Sequence, residues 1–589
     1  MRGTFFMGQR IAGCLPYRDN IRQQFSYFAA MDNSAIADNF DLLAKLMDIN
    51  GENSFKTKTY SIAAFNIEKL PMQLKDTPRE NLFSIKGIGE SVGKKVIEML
   101  DTGILSLLSE YISKTPPGVI EMLQIKGIGP KKIHTIWKEM EIESLGELLY
   151  ACNENRLMLY KGFGQKTQQN VQAAIEFFFS NQGHFLYAQL DEIFPQIKNY
   201  LERLFTPAKV RSTGHYRRQD ITIEEMEFVI GEINETIKPQ FITAQPPELL
   251  EEKDDTLLYK LKNGLKLRLY TGDANVTRRQ FLTTGNAAFM EAFAKAFPNI
   301  KYPTADDDAL VFKEADLPFI VPCLREDPSI LERAKQNKLP QLITVSDIRS
   351  IIHSHSNWSD GSHTIEEMAK ECIRRGFEFL VISDHSQTAF YANGLKEERV
   401  LEQHRYIDEL NTQLKPFKIF KSIESDILND GSLDYPESVL KTFDLVIASV
   451  HSNLKMNEEK AMARVLKAIE NPYTTILGHP TGRLLLSRNG YPLDHKKIID
   501  ACAANHVVIE LNAHPRRLDI DWKWISYAIE KGVLLSIDPD AHYLTGFDDI
   551  KYGVLSAQKG GMEKANNLSS FGLGEFEAWL VNNKRLKNR

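Results

Sequence analysis

The sequence predicts a multidomain protein with helical domains first, an α+β region next and an α/β domain last. A Gly-containing element recurs among the helical patterns of residues 31–184. Helix and strand patterns are mixed over residues 185–325. Apolar strand-like runs then alternate with helical patterns over residues 345–589. This last alternation is typical of parallel strands closed into a β/α barrel.

Composition indicates a globular protein of ordinary character. The 589 residues suit several domains, and 43% are hydrophobic and 25% charged. No apolar run approaches the roughly 20 residues of a membrane span, so no membrane partner is expected. The five cysteines are scattered, which argues against disulfides and thiolate zinc sites and favours a cytoplasmic location. The net charge of −6 means that any nucleic-acid site must be a local basic surface.

The first thirty residues carry no clear periodic face and lack the long apolar core of a signal peptide. Met31, in contrast, begins the pattern of an amphipathic helix with an Asn or Ser cap. We therefore interpret residues 1–30 as a possible non-native extension.

An I-K-G-I-G element occurs twice, in 83–96 and 123–137, and a looser copy lies in 157–171. Its glycines allow close backbone approach, and the following helix directs N–H groups and a positive dipole end towards a phosphate. The element resembles the helix-hairpin-helix repeat, which binds the DNA backbone without reading its sequence. A role in helix packing alone is the alternative. The predicted phosphate-binding residues are Gly87, Gly89, Lys94, Lys95, Gly127, Gly129, Lys131 and Lys132.

Two further lysines, Lys56 and Lys58, precede a helical pattern and are placed on one side of the chain by the F-K-T-K-T alternation. They are either a solvated face or a second phosphate-contacting surface.

Potential metal ligands follow the strand-like runs of the last domain. Chemistry in parallel barrels collects at the C-terminal ends of strands, so these side chains are expected at one rim. A lone histidine there would be a packing or capping residue, but so many acids and imidazoles favour two or three ions of Zn, Mn or Fe. The predicted ligands are His353, His355, Asp360, His385, Glu424, His451, His479, Asp540 and His542.

Residues 345–589 resemble the PHP (polymerase and histidinol phosphatase) family in their H-x-H, SDH, IES, VHS, GHP and DAH motifs. The resemblance implies a distorted (β/α)7 barrel with a trinuclear centre that hydrolyses phosphoesters. It assigns one ion to His353, His355, Glu424 and Asp540, a second to Asp360, His385 and His542, and a third to His451, His479 and a shared Glu424. The predicted catalytic residues are Asp360, His385, Glu424 and His542.

Two arginines and one further histidine lie near these motifs. Arg483 and Arg517 could grip substrate phosphate or serve as surface ion-pair partners. A ligand role for His514 is not expected, because many relatives have Asn at that position.

Over residues 31–589 the order of domains resembles bacterial family X DNA polymerases with a PHP domain. The resemblance implies a lyase-like helical DNA-binding domain (31–110), a helix-hairpin-helix fingers-like region (111–184), a nucleotidyltransferase-like palm and thumb (185–325), a linker (326–344) and the PHP domain (345–589).

The palm departs from the family pattern. The family's D-x-D motif is replaced by Glu225-Met226-Glu227, and its third Asp by Lys266. Glutamate shifts the carboxylate by a methylene, and lysine places a cation where a divalent ion should bind, so polymerase activity is expected to be lost. Arg217 and Arg218 could still contact DNA phosphate. The alternative is slow manganese-dependent synthesis on the two glutamates.

The leading functional prediction is a DNA-repair nuclease acting on gapped, nicked or 3′-blocked DNA. It would be a 3′–5′ exonuclease or 3′-end-processing enzyme that could also cut at abasic sites. The alternatives are an active gap-filling polymerase with a PHP nuclease, a small-molecule phosphatase, and a DNA-binding scaffold without activity. Other repair proteins could be partners, and a monomer is favoured.

Overall fold

The computed structural model describes residues 31–85, 87–153, 157, 160–180, 183–241, 246–261, 264–304, 307–389, 392–486 and 489–587. The predicted extension 1–30 therefore lies outside the described residues. The chain divides into two compact units, which are Met1–Gln182 with Leu261–Gly264, and Gly183–Lys260 with Leu265–Arg589.

The first unit is helical. The side chain of Asp32 caps its first helix by accepting a hydrogen bond from the Ala35 N–H at 2.9 Å. Ile36, Phe40 and Leu43 recur at helical spacing on that helix and are fully buried in the unit's core. The α-helices are α1 (Asn33–Ile49), α2 (Ser54–Glu68), α3 (Glu90–Thr102), α4 (Ser106–Lys114), α5 (Pro117–Glu121), α6 (Pro130–Lys138), α7 (Leu145–Asn153) and α8 (Gln165–Ser180).

The second unit begins with a short antiparallel pair, β1 (Phe185–Leu186) with β3 (Thr222–Ile223), and a five-stranded sheet. The sheet has the order β2-β4-β7-β6-β5, in which β4 and β7 are parallel and the other pairs antiparallel. Its strands are β2 (Val210–Thr213), β4 (Glu225–Ile230), β5 (Glu248–Lys253), β6 (Thr256–Lys260) and β7 (Lys266–Tyr270).

The α-helices of this region are α9 (Tyr187–Phe205), α10 (Gly214–Arg217), α11 (Asn234–Ile237), α12 (Val276–Thr284), α13 (Ala287–Ala296), α14 (Ala309–Glu314) and α15 (Ser329–Lys335). The last of them lies in the predicted linker 326–344. Its Ile330, Leu331 and Ala334 are buried in a cluster with Phe281 and Phe312. Much of the segment predicted as a linker is therefore packed structure, because its apolar residues have helical spacing.

The remaining strands form two parallel sheets, of three and five strands. Isolated bridges connect His385 to Glu424 and Ser354 to Ala541, and these residues lie at the ends of strands from the two sheets. The strands are β8 (Ser350–Ile351), β9 (Phe379–Ile382), β10 (Lys418–Lys421), β11 (Glu424–Asp426), β12 (Ile447–Ser449), β13 (Ile476–Leu477), β14 (Val508–Asn512) and β15 (Leu535–Asp538).

Every apolar run that was predicted as a strand in this part of the chain contains one. Helices connect most of these strands, as the β/α alternation predicted. They are α16 (Ile365–Arg375), α17 (Glu397–Gln413), α18 (Glu437–Leu440), α19 (Glu458–Glu470), α20 (His495–Ala504), α21 (Ile525–Glu530), α22 (Ile550–Lys559) and α23 (Leu573–Leu586). Among the described helices, none combines the length and apolar character needed to cross a membrane.

Candidate metal centre

The predicted ligands come together at the C-terminal ends of the parallel strands. His353 and His355 follow β8, His385 follows β9, and Glu424 opens β11. The other strand-end ligands follow β12, β13 and β15 and are His451, His479, Asp540 and His542. Parallel strands end at the same edge of a sheet, so residues far apart in sequence meet at one place.

Three overlapping groups bring candidate ligand atoms within 4.8 Å of one another. These groups are His355, Asp360, His385 and His542; His353, His355 and Asp540; and His385, Glu424 and His451. They resemble the three predicted ligand sets, but Glu424 is absent from the first set, His355 is added to the second, and His385 replaces His479 in the third.

Glu424 lies at the middle of the centre and is 1% exposed. Its Oε1 is 2.9 Å from His479 Nε2 and 3.1 Å from His451 Nε2. Its Oε2 is 3.0 Å from His385 Nδ1. This carboxylate can therefore be shared between neighbouring ions, as predicted for Glu424.

Two buried carboxylates that the sequence analysis missed orient the histidines. Glu510 Oε1 is 2.5 Å from His353 Nδ1, and Glu510 Oε2 accepts a hydrogen bond from the His479 N–H. Asp426 Oδ1 is 2.5 Å from His451 Nδ1. An acceptor at Nδ1 favours the tautomer whose Nε2 lone pair faces the centre. In the sequence, the only sign of this role is that Asp426 and Glu510 lie in strand-like runs of the domain that carries the predicted ligands.

The donor set fits divalent ions. His353 Nε2 is buried, and it has no hydrogen-bond partner among the described atoms. His353 Nε2 nevertheless lies 3.4 Å from Glu424 Oε1 and 3.5 Å from Asp540 Oδ1. Leaving such atoms unpaired costs about 1–3 kcal/mol each, and a bound cation would remove that cost. Imidazole and carboxylate ligands suit Zn, Mn or Fe.

The pKa values of two histidines in the centre are shifted in opposite directions. Burial, helped by the neighbouring His542 and His385, lowers the pKa of His355 to about 3. Burial also disfavours the charged form of His451, but Glu424 and Asp426 overcome that effect and raise its pKa to about 10. A cluster of acids and imidazoles therefore holds protons that bound cations would displace.

Three candidate ligands have left-handed backbone conformations, which are rare for residues with a Cβ. The φ angle is 58° at His353, 51° at Asp540 and 22° at His479. Such strain costs on the order of 1–3 kcal/mol per residue and clusters at functional sites. The surrounding packing therefore holds these three residues in place at the expense of stability.

The loop that carries the first ligands is anchored by Asp384, another residue that the sequence analysis missed. This buried carboxylate accepts hydrogen bonds from Ser356 and Ser359 of the H-S-H-S-N-W-S-D-G segment and from Gln403 of α17. Burial raises the pKa of Asp384, and these hydrogen bonds oppose the rise.

The arginines and His514 near the centre differ in their surroundings. Arg517 Nε lies 3.7 Å from Asp540 Oδ2, so this cation is next to a candidate ligand. Arg483 instead donates to Asp521 at 2.5 Å and to the Arg517 carbonyl at 2.9 Å, which favours a structural role. His514 lies outside the three ligand groups.

The three degenerate palm positions lie side by side. Glu225 and Lys266 are opposite each other on the parallel strands β4 and β7. Glu225 Oε2 accepts a hydrogen bond from Arg268 Nε at 2.5 Å. Buried Glu227 accepts hydrogen bonds from the His215 N–H at 2.7 Å and from the Tyr270 hydroxyl at 3.0 Å. Both carboxylates are therefore engaged within the protein.

The palm arginines are likewise held by the protein. Arg217 makes a bidentate pair with Asp308 at 2.8 Å. Arg218 is 6% exposed and donates to Glu326 at 3.0 Å and to the Thr284 carbonyl at 2.8 Å. This geometry does not support the predicted phosphate contact of Arg218, because a buried guanidinium cannot reach a DNA backbone.

The repeated Gly-containing elements form two similar turns in the first unit. Gly87 and Gly127 have φ angles of 92° and 97°, a conformation that favours glycine. Gly89 and Gly129 are the N-cap residues of α3 and α6. Lys56, Lys58, Lys94 and Lys131 are exposed, whereas Lys95 and Lys132 are half-buried. The predicted phosphate-binding lysines thus lie in or near the first turns of helices, although Lys94 also pairs with Glu90 at 2.6 Å. The predicted placement of Lys56 and Lys58 is wrong, because both lie inside α2, where residues two apart do not share one side.

Comparisons with known protein families match three segments of the chain. Residues 31–105 match the helix-hairpin-helix domain, residues 119–176 the SAM-like helix-hairpin-helix tandem, and residues 352–514 the PHP domain. The first two contain the repeated turns, and the third contains seven of the nine predicted ligands.

Individual relatives match either the PHP segment alone or nearly the whole chain. A probable phosphatase of Caldanaerobacter subterraneus subsp. tengcongensis is 28% identical over 178 residues, which are 28% of this chain and 63% of that protein. A probable phosphatase of Acetivibrio thermocellus is 30% identical over 174 residues, or 28% of this chain and 67% of that protein. The DNA polymerase/3′-5′ exonuclease PolX of Bacillus subtilis (strain 168) is 31% identical over 567 residues, covering 92% of this chain and 98% of that protein. The chain therefore belongs to the PolX family of DNA polymerase/exonuclease proteins, with helix-hairpin-helix domains and a C-terminal PHP domain.

Proposed function

We propose that this protein binds gapped, nicked or 3′-blocked DNA and hydrolyses phosphodiesters in its PHP domain as a 3′–5′ exonuclease or 3′-end-processing enzyme. Cleavage at abasic sites would use the same centre. The observation that carries the proposal is the convergence of acids and imidazoles from separate strands around the buried Glu424. The exposed lysines on the helix-hairpin-helix turns provide a surface for the DNA backbone.

The reaction adds water across one phosphodiester. The water oxygen bonds to phosphorus, the bond from phosphorus to the neighbouring nucleotide's O3′ breaks, and O3′ takes a proton. Two or three divalent ions held by the nine ligands would supply an acidified water near neutral pH and neutralise phosphate charge. Glu510 and Asp426 keep the His353 and His451 rings oriented towards those ions. Arg517, close to Asp540, is available to hold a phosphate oxygen.

We also propose that DNA synthesis is lost or very slow. Lys266 lies opposite Glu225 on the neighbouring strand with its ammonium 3.8 Å from Glu224 Oε2, and the Glu225 carboxylate is paired with Arg268. The Glu227 carboxylate is engaged by His215 and Tyr270. Metal binding would have to break these bonds before two ions could be held for nucleotide transfer. The palm would then serve as a platform for holding DNA.

A small-molecule phosphatase is the second candidate. It is favoured by the similarity of the PHP segment to probable phosphatases. The DNA-binding repeats argue against it, because a small phosphate ester needs no extended basic surface.

The test is an assay of the purified full chain on a labelled gapped duplex with manganese. We expect shortening of the 3′ end that His353→Ala or Asp540→Ala reduces by more than about 100-fold, since loss of a ligand should exceed the effect of losing an outer-shell partner. Asp408→Ala is the matched control, because this exposed carboxylate on α17 pairs with Lys421 at 2.6 Å and is not a candidate ligand. Shortening that survives in both ligand variants, or hydrolysis of small phosphate esters alone, would contradict the nuclease.

A further inference from the structure

An open cavity of about 450 Å³ lies beside the candidate metal centre. Its wall includes His451 and Asp426, and its other lining residues include Leu428, Asn429 and Ser452. His451 therefore belongs to both places, because its Nε2 is 3.1 Å from Glu424 Oε1 while its ring borders the cavity. Whatever occupies the cavity must lie directly next to a group held at the centre.

The charges of the cavity do not suit a phosphate. Its two carboxylates already have partners, since Asp426 accepts from Thr388 at 2.8 Å, and Asp430 from Lys467 at 2.9 Å. No Lys or Arg occurs among the described residues that line it. A phosphate would face two carboxylates and a lysine that is already paired with one of them, whereas an uncharged group would meet no such repulsion.

The volume of the cavity and its other lining side chains indicate what kind of uncharged group would fit. Binding sites for small molecules measure about 300–1,000 Å³ and combine an apolar surface with a few polar groups. Leu428 offers the apolar surface here, and the amide of Asn429 and the hydroxyl of Ser452 offer polar ones. Asn429 Oδ1 accepts a hydrogen bond from Asn453 at 2.7 Å, which orients the amide.

We propose that this cavity receives the sugar and base of the 3′-terminal nucleotide while its 5′ phosphate lies at the metal centre. The inference rests on the proposed function, because it deepens the substrate class of the same site. The product of hydrolysis would be a nucleoside 5′-monophosphate that fills the cavity and the centre together. The protein would therefore bind this product more tightly than a phosphate without a base.

Calorimetry on the manganese-loaded full chain tests the inference without depending on turnover. The probes are deoxyadenosine 5′-monophosphate, 2-deoxyribose 5-phosphate and inorganic phosphate. The main variant is Leu428→Trp, which fills the cavity, and the matched control is Leu401→Trp on α17, where the side chain is 50% exposed. Circular dichroism and manganese content show whether each variant retains its fold and ions.

We expect wild type to bind the nucleotide about tenfold more tightly than the sugar phosphate, and Leu428→Trp to remove this preference while binding inorganic phosphate as wild type does. Equal binding of nucleotide and sugar phosphate by wild type, or an unchanged preference in Leu428→Trp, would overturn the inference. If Leu428→Trp fails to fold, Asn429→Ala and Ser452→Ala replace it, with a several-fold weaker nucleotide affinity expected and unchanged affinity counting against the cavity. A wild-type protein that cleaves no DNA would refute the nuclease, whereas the binding series still decides what the cavity holds.

Discussion

At the residue scale, Glu510 accepts two hydrogen bonds, one on each carboxylate oxygen, from two different candidate ligands. One oxygen accepts from His353 Nδ1–H, and the other accepts from the His479 backbone N–H. Both histidines are candidate ligands, and Glu510 is fully buried. One side chain therefore sets the orientation of two ligands from different strands.

Glu510→Gln should weaken divalent-ion binding by about 10–100-fold. A glutamine has one acceptor oxygen and one NH2 group, so one of the two N–H donors would face another donor. Manganese titration against a competing chelator measures the change.

Glu530→Gln, at an exposed position on α21, is the matched control and should bind manganese as wild type does. An unchanged manganese affinity in Glu510→Gln would show that Glu510 does not orient the ligands.

At the element scale, β4 and β7 determine what the palm can do. Their parallel register places Lys266 opposite Glu225 and Arg268 opposite Glu227. Side chains at alternate positions of β4 point to the same face, so Glu225 and Glu227 are neighbours there. The two glutamates and Lys266 therefore lie on neighbouring strands, so the chemistry of these three side chains decides whether the strands can hold divalent ions.

Wild type should not extend a primer on a gapped duplex with manganese and deoxynucleotides. The combined variant Lys266→Asp, Glu225→Asp, Glu227→Asp should extend it, because it removes the cation and shortens both acids on an unchanged backbone. Gel analysis of a labelled primer measures extension, with Lys266→Asp alone as the control that should remain inactive. Extension by wild type would contradict the proposed loss of activity.

At the scale of the second unit, one buried lysine connects the segment after β2 to the C-terminal part of the chain. Lys559 of α22 is 4% exposed and lies 2.6 Å from Asp220 Oδ1. It also pairs with Glu326 and donates to the Arg218 carbonyl at 3.0 Å. Asp220 and Glu326 therefore rely on a cation from the C-terminal part of the sequence, and the two parts of this unit should unfold together.

Lys559→Ala should lower the free energy of unfolding by about 3 kcal/mol, because it removes one of the two buried cations that Asp220 and Glu326 share and leaves Arg218 to neutralise both acids. Urea denaturation followed by tryptophan fluorescence measures this, and Trp522 is a suitable probe because its ring centroid lies 4.8 Å from Lys559 Nζ.

Lys564→Ala, which removes an exposed lysine 3.8 Å from Asp347, should change stability by less than about 0.5 kcal/mol. An equally small change in Lys559→Ala would mean that the interface does not depend on this network.

Much of the site was predictable because its signals are local. A ligand placed just after a strand is visible in the sequence, and His353, His451 and Asp540 were all found that way. Glu510 and Asp384 were missed because an acid inside a strand or loop shows its role only when its partners, far away in sequence, are known. Arg218 was misjudged for the same reason, since nothing near it in the sequence indicates burial against Glu326.

The amino-acid order alone was enough to establish the succession of helical, mixed and β/α regions, the repeated turns and the identity of the candidate ligands. These depend on hydrophobic periodicity and on residue chemistry, which act over a few residues. Tertiary structure alone decided which ligands lie within reach of one ion, which carboxylates orient them, and which cations are held in internal ion pairs. Those outcomes depend on distances between segments that lie far apart along the chain, and electrostatics and hydrogen bonding act through distance in space.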